Sequence, residues 1–176
     1  NASLQPSKDP GKSQLVVRIK EAPALTGSVT LDNYSPPSVG SERIGGTLIY
    51  RNPTGLGDEI SATYFRSLAG GSNLYDFNYR VPVNAMNGTV QLRYSSSNSK
   101  IIDPAFSSFG IRSQSDLYEL TYRQPVIRSP REELALSLGF ALQNGQTFLF
   151  NNSPTPFGIG PDANGNSRTR VLKFGQ

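Results

Sequence analysis

The chain has 176 residues, a formal net charge of +4, no cysteine and no histidine. Disulfides, thiolate or imidazole metal sites, Ser-His-Asp catalysis and histidine general bases are thereby excluded. No run approaches the roughly 18 consecutive apolar residues of a membrane-crossing helix. A transmembrane β-barrel stays open, because only alternate residues of its strands face lipid.

Residues 1–13 form a turn-rich lead-in with Pro6, Pro10 and Gly11. Leu15, Val17 and Ile19 then alternate with Val16, Arg18 and Lys20, which reads as one strand closing at Glu21-Ala22-Pro23. A lone strand is not stable, so its partners are expected upstream of Asn1. Residues 1–22 read as the tail of a preceding soluble module, and residues 23–176 as a second unit.

Three alternating runs follow. Gly27, Val29 and Leu31 share a face opposite Thr30 and Asp32; Ile44, Gly46, Leu48 and Tyr50 lie opposite Arg43, Thr47 and Arg51. Ile60, Ala62 and Tyr64 lie opposite Glu59, Ser61 and Thr63. Period two means strands, because successive side chains leave a pleat on opposite sides. The second and third runs are joined by a tight turn, Asn52-Pro53-Thr54-Gly55-Leu56-Gly57-Asp58.

A fourth strand is predicted over 73–83, with Tyr75, Phe77, Tyr79, Val81 and Val83 against Asp76, Asn78 and Arg80. Asn87-Gly88 then marks a hairpin turn that needs positive φ. The fifth, over 89–95, sets Val90, Leu92 and Tyr94 against Gln91 and Arg93, and residues 96–114 read as a long polar loop. The sixth, over 115–126, sets Tyr118, Leu120 and Tyr122 against Glu119, Thr121 and Arg123. After a short turn at 128–131, Leu134, Leu136, Leu138, Phe140 and Leu142 of the seventh oppose Ala135, Ser137, Gly139 and Ala141. A long loop over 144–166 leads to an eighth strand with Leu172 and Phe174 as its apolar pair. No amphipathic helix is apparent.

The pattern predicts an all-β, antiparallel, up-and-down architecture. One apolar and one charged face, strand after strand, suits a barrel wall between lipid and water or a sheet lying on a core. Three features favour the barrel. The strands match the ~9–11 residues that cross a bilayer at a tilt. Short and long connections alternate, except for the short one after the third strand. Tyrosines sit near the ends of the apolar face, as in an interfacial girdle. The rival is a soluble β-sandwich adhesion or binding module, with the apolar faces as a shared core.

The polar face supplies the candidate functional residues: Asp32, Arg43, Arg51, Glu59, Asp76, Arg80, Arg93, Glu119 and Arg123. They fit a charged, hydrated lumen; each is also consistent with a plain cross-strand ion pair. Asp76 and Glu119 are the only notable acid pair for hydrolytic chemistry, and nothing in the sequence brings them to glycosidase spacing. Asp58-Glu59 lacks the ligand spacing of a calcium loop, and reads as an acidic turn. Gly55-Leu56-Gly57 lacks the Lys-Ser/Thr of a phosphate loop. The basic residues lie in strands beside acids and not in a patch, so no nucleic-acid partner is expected. Neither an enzymatic role nor a cofactor, metal or small-molecule substrate is expected.

Several motifs go further. Leu31-Asp32-Asn33-Tyr34, Gly40 with Arg43, and Asn52-Pro53-x-Gly55-Leu56-Gly57-Asp58 stand in order. Tyr79-Arg80-Val81-Pro82-Val83 and Tyr122-Arg123-Gln124-Pro125-Val126-Ile127-Arg128-Ser129 follow. Together they resemble the start of the barrel in two-partner secretion transporters. These are the haemolysin activation/secretion proteins of the outer-membrane assembly factor superfamily. Pro10-Gly11-Lys12-Ser13-Gln14-Leu15-Val16-Val17 resembles the last hairpin of a periplasmic polypeptide-transport-associated (POTRA) domain.

The resemblance implies about eight strands of a sixteen-stranded outer-membrane barrel, with residues 1–22 ending a POTRA domain. It implies export of an unfolded partner polypeptide without ATP, with outer-membrane lipid around the wall. A close alternative is the insertase branch of the same superfamily. The family's inward loop with an Arg-Gly-aromatic motif lies in the other half of the barrel, so no functional residue carries over from it. A segment of this kind is expected to form a curved open sheet, with residues 1–22 projecting from one end. Both ends of the chain are expected to be cut.

Overall fold

The computed structural model describes residues 2–6, 11, 13–17, 22–150 and 152–176. Strands β1 (Ala2–Pro6) and β2 (Ser13–Val17) form a two-stranded antiparallel sheet of their own. The partner of the Leu15–Val17 strand therefore lies inside the chain, at Ala2–Pro6, which corrects the expectation that it lies wholly upstream. Arg18, Ile19, Lys20 and Glu21, assigned to the same strand from the sequence, lie outside the described residues.

The remaining strands are β3 (Leu25–Asp32), β4 (Arg43–Arg51), β5 (Glu59–Ser67), β6 (Ser72–Pro82), β7 (Thr89–Lys100), β8 (Arg112–Arg128), β9 (Glu133–Leu149), β10 (Ser153–Pro154) and β11 (Asn166–Gly175). They make one nine-stranded antiparallel meander in which each strand pairs with the next. Only the two-residue β10 departs from this, because it shares with β11 the free side of β9. The sheet is open, with β3 and β11 at its edges, as a segment of a larger barrel requires. Among the described residues there is no α-helix.

The predicted alternation is the register. Tyr64 stands beside Tyr75, Tyr94 beside Tyr118, and Leu92 beside Leu120 and then Phe140. No described residue covers this face: Val29 is 81% exposed and Leu172 73%. The only buried hydrophobic residues among those described are Val39 and Ala141. A sandwich would bury this face against a second sheet about 10 Å away; here no second layer of described residues packs over it. A furrow of about 440 Å³ between Ile60, Phe77, Leu92 and Leu120 lies on that face.

Three strands are longer than their alternation suggested. β7 runs to Lys100, β8 starts at Arg112 and β9 ends at Leu149, so the loop predicted over 96–114 shrinks to residues 101–111. The missed positions include Ser96–Ser99, with Ser113 and Gln114 opposite Ser99 and Asn98, and Asn144–Gln146 on β9 beyond. They have low strand propensity and no apolar alternation, yet the hydrogen-bond ladder continues because neighbouring strands on both sides supply partners.

Short turns gather at one end of the sheet and the loops at the other. At the turn end, Asn52 and Asn87 take positive φ, both 59°. The hairpin at 83–88 closes through Val83 N–H to Gly88 O at 2.8 Å. β8 and β9 slip by one residue between Pro125 and Ile127. Pro125 has no N–H to give the ladder, which places a bulge there.

The loop end explains the one short connection that broke the alternation. Residues 33–42, carrying a 3-10 turn at Pro37–Val39, fold over the β5–β6 connection. Leu68 N–H donates to Glu42 O at 2.8 Å, and Ile102 N–H to Ser38 O at 2.8 Å. Gly40 (φ 92°) is required there, since a Cβ would stand 2.6 Å from Ala69 Cβ.

Candidate functional site: the charged face of the sheet

The polar face carries every candidate residue, and the register arranges them in rows across strands. At the turn end, Arg51, Glu59 and Arg80 stand side by side on β4, β5 and β6. Glu59 lies 3.5 Å from Arg51 and 3.4 Å from Arg80, so one carboxylate sits between two guanidinium groups. Further along, Arg93 on β7 bonds Asp76 on β6 at 2.7 Å. Its register partner on the other side is Glu119 on β8. Glu119 in turn meets Lys173 on β11 at 2.9 Å. Arg123 pairs with Glu133 on β9. The charges thus alternate in sign along the wall.

Asp76 and Glu119 lie on strands separated by β7, and each is held by its own cation. That arrangement is an ion-pair ladder. Lys173 and Glu133 belong to it and were missed in the sequence. Their signal was present, a charge in phase with the polar face, but register alone decides which carboxylate each cation meets.

A second cluster lies at the loop end. Asp32 accepts a 2.6 Å hydrogen bond from Arg43 Nε. The Arg43 guanidinium also lies over the Phe65 ring, 4.4 Å from its centre, and 5.8 Å from that of Tyr34. Phe65 is an aromatic on the polar face, where Gly45 of β4 stands opposite. A Cβ at Gly45 would collide with the Phe65 ring. The glycine therefore makes the room for an aromatic that carries the arginine. Beside it, Ser67 is fully buried; its hydroxyl donates to Val39 O at 2.7 Å and accepts from Gly71 N–H at 3.1 Å.

Elsewhere the wall is neutral and hydroxyl-rich. Thr47 and Thr63 share a 3.0 Å hydrogen bond, Ser99 and Ser113 one of 2.7 Å, and Gln143 donates to Ser115 at 3.2 Å.

The tyrosines of the opposite face form two belts. Toward the loop end, Tyr64 and Tyr75 have ring centres 4.8 Å apart, and Tyr94 and Tyr118 5.0 Å apart. Their outer hydroxyls donate to Asn73 (3.1 Å) and Asp116 (3.2 Å). Toward the turn end, Tyr79 donates to Asp58 at 3.0 Å and Tyr122 to Gln124 at 2.6 Å. In Tyr64, Tyr79, Tyr94 and Tyr122 the ring lies in the apolar band and the hydroxyl reaches a polar partner, the interfacial preference of tyrosine. The upper belt shifts one row between β5–β6 and β7–β8, as expected where the strands of a barrel wall tilt.

The two Tyr-x-x-Pro motifs acquire a physical role here. Tyr79 anchors the 52–58 turn through Asp58, and Tyr122 meets Gln124, which also accepts from Asn84 at 2.7 Å. Asp58 is 1% exposed and also accepts from Thr54 N–H at 3.2 Å. Burial pushes its carboxyl up, but hydrogen bonds from Thr54, Tyr79 and its own backbone outweigh this and hold it below the usual carboxylate range. It is an acidic turn residue, as the sequence suggested.

Residues 11–153 match the family described as haemolysin secretion/activation protein ShlB/FhaC/HecB. The chain belongs to this family. Among solved structures it is similar to CdiB from Escherichia coli, with 23% identity and a TM-score of 0.67. The likeness covers 88% of this chain and 30% of CdiB. This chain therefore spans about 30% of that protein, and shares its fold over that stretch. No curated protein matches it in sequence.

Proposed function

We propose that this chain is part of the wall of an outer-membrane barrel that secretes a partner polypeptide through its lumen. The observation that carries the reading is the two-sidedness of one continuous sheet. One face is apolar, uncovered and bounded by tyrosine belts, and the other is a ladder of paired charges and hydroxyls. Membership in the haemolysin secretion/activation family supports it.

In this reading the apolar band faces lipid, because an uncovered apolar sheet is stable only in an apolar solvent. The charged face lines the conduit. Alternating charge gives a hydrated path with no net field strong enough to hold a passing segment of either sign. The client passes unfolded and without ATP. The β1–β2 hairpin ends a POTRA domain, where an extended client adds as a strand to a free sheet edge. The full barrel has sixteen strands, and its other strands pair with the edges at β3 and β11.

The test places a photo-crosslinking amino acid in the full-length protein at Arg93 (polar face) or at Leu92 (apolar face) during secretion. Crosslinks to the secreted partner at position 93 and none at 92 are expected. Equal capture at both, or none at 93 while secretion proceeds, overturns the reading.

A further inference from the structure

Above the upper tyrosine belt, the lipid-side face turns basic. Arg66, Lys100, Arg112, Arg168 and Arg170 all occupy strand positions in phase with the apolar residues. The one acid among those positions, Asp116, already accepts from Tyr94. Read along the chain, the basic residues lay beside acids and not in a patch; these five cations are far apart in sequence and only the register gathers them.

Lys100 and Arg112 stand directly opposite each other across the β7–β8 ladder. Like charges in that arrangement have Cβ atoms about 5 Å apart and repel. Neither makes an ion pair with a described residue, in contrast to the neutralised cations of the other face. They flank a groove of about 310 Å³ whose wall includes the amides of Asn73, Asn98 and Gln114 and the ring of Phe148. Paired cations, amide donors and an apolar edge are the chemistry of a phosphate carried on a sugar.

Position selects the source. Lys100 lies six residues beyond Tyr94 on β7, so it stands about 15 Å above the belt at a strand tilt near 40°. An ordinary phospholipid headgroup layer is only about 5–8 Å thick. We infer that Lys100 and Arg112 bind the phosphorylated saccharide head of an outer-leaflet glycolipid. The inference rests on the lipid-facing orientation proposed above, and adds a specific headgroup site to it.

The test uses the full-length protein in detergent and rough lipopolysaccharide with a phosphorylated inner core. Native mass spectrometry or fluorescence titration reads the affinity. The K100Q/R112Q double variant is expected to bind at least about tenfold more weakly, since two charge-assisted contacts are lost. The swap K100R/R112K, which keeps both charges, is expected to restore binding within about threefold, and R131Q at the turn end to leave it unchanged. Dephosphorylated lipopolysaccharide is expected to bind wild type as weakly as intact lipid binds the double variant. Equal binding by the double variant overturns the inference, as does equal binding of dephosphorylated lipid. So does full displacement by millimolar inorganic phosphate, which would mark a site for free anions. Client crosslinking at position 93 that persists while lipid binding is unaffected by K100Q/R112Q defeats this inference alone. Lost crosslinking with specific lipid binding retained defeats the transport reading alone.

Discussion

Glu119 on β8 reaches over β9 to Lys173 on β11, 2.9 Å away and 54 positions along the chain. The strand between them makes this possible. Its residues in register with the pair are Ala141 opposite Glu119 and Gly139 opposite Lys173. A Cβ at Gly139 would already lie 3.1 Å from Thr121 Oγ1 and 3.5 Å from Lys173 Cβ. The run of small residues on the polar face of β9 is the gap that an ion pair spans.

Filling that gap should therefore break the pair. Ala141→Leu in the full-length protein is expected to destabilise the barrel by about 1–3 kcal/mol through overcrowding. Loss of the pair itself adds about 0.2–1 kcal/mol at most, because Lys173 is half exposed. A double-mutant cycle of E119Q and K173Q checks the second figure by thermal unfolding. Coupling is expected in the wild-type background and absent with Leu at position 141.

Gly45 and Phe65 make a similar lock at the loop end. Gly45→Val is expected to cost about 1–3 kcal/mol by driving the Phe65 ring off its seat and the Arg43 guanidinium off the ring. Adding Phe65→Ala should recover part of that loss, because the clash partner is gone. Equal destabilisation in the single and double variants would mean that the strain lies elsewhere.

Ser67 joins the 33–42 loop to the β5–β6 connection with one hydroxyl. Ser67→Ala leaves Val39 O and Gly71 N–H without their partner, which costs about 1–3 kcal/mol when both are shielded from water. Limited proteolysis should show cleavage within residues 33–42 at protease levels that spare the wild type.

The 52–58 turn should respond to acid. Asp58 is held below the usual carboxylate value by its hydrogen bonds, after burial has pushed it up. Its folded value is depressed, so its contribution is complete above the unfolded value of about 3.9 and is lost as pH falls through the folded one. Heat resistance of the barrel on gels is expected to be flat from neutral pH to about 5 and to fall only below about 4. In Asp58→Asn that acid-dependent part of the fall is expected to vanish.

This stretch has no cysteine of its own, so single cysteines can be placed along β7. Single cysteines at Gln91 and Arg93 are expected to react with a water-soluble maleimide in intact outer membranes, and those at Val90 and Leu92 to react at least about tenfold more slowly, since alternate residues face lipid. Uniform labelling along β7 would contradict a two-sided wall.

Much of this protein was legible in its residues. Period-two alternation identified strands β3 to β9 and β11 and sorted their side chains to two faces, because a pleat has no other way to place neighbours. Asn87-Gly88 marked its turn through the need for positive φ, and the 52–58 stretch read as a tight turn. Every candidate charge from Asp32 to Arg123 lies on the face assigned to it.

What the residues could not express was adjacency across strands. Alternation fixes the side a residue faces but not the partner it faces, since register depends on every hairpin together. Only the folded sheet seats Glu59 between Arg51 and Arg80, carries Glu119 over Ala141 to Lys173, and sets Lys100 against Arg112. It also extended β7, β8 and β9 through serine- and asparagine-rich stretches that lack strand propensity, because a strand between two paired neighbours is held by its ladder. The sequence alone determined that one side of the sheet is apolar and the other charged. The tertiary structure decided that no described residue of this chain covers the apolar side, and an uncovered apolar sheet is what supports the proposed lipid-facing orientation.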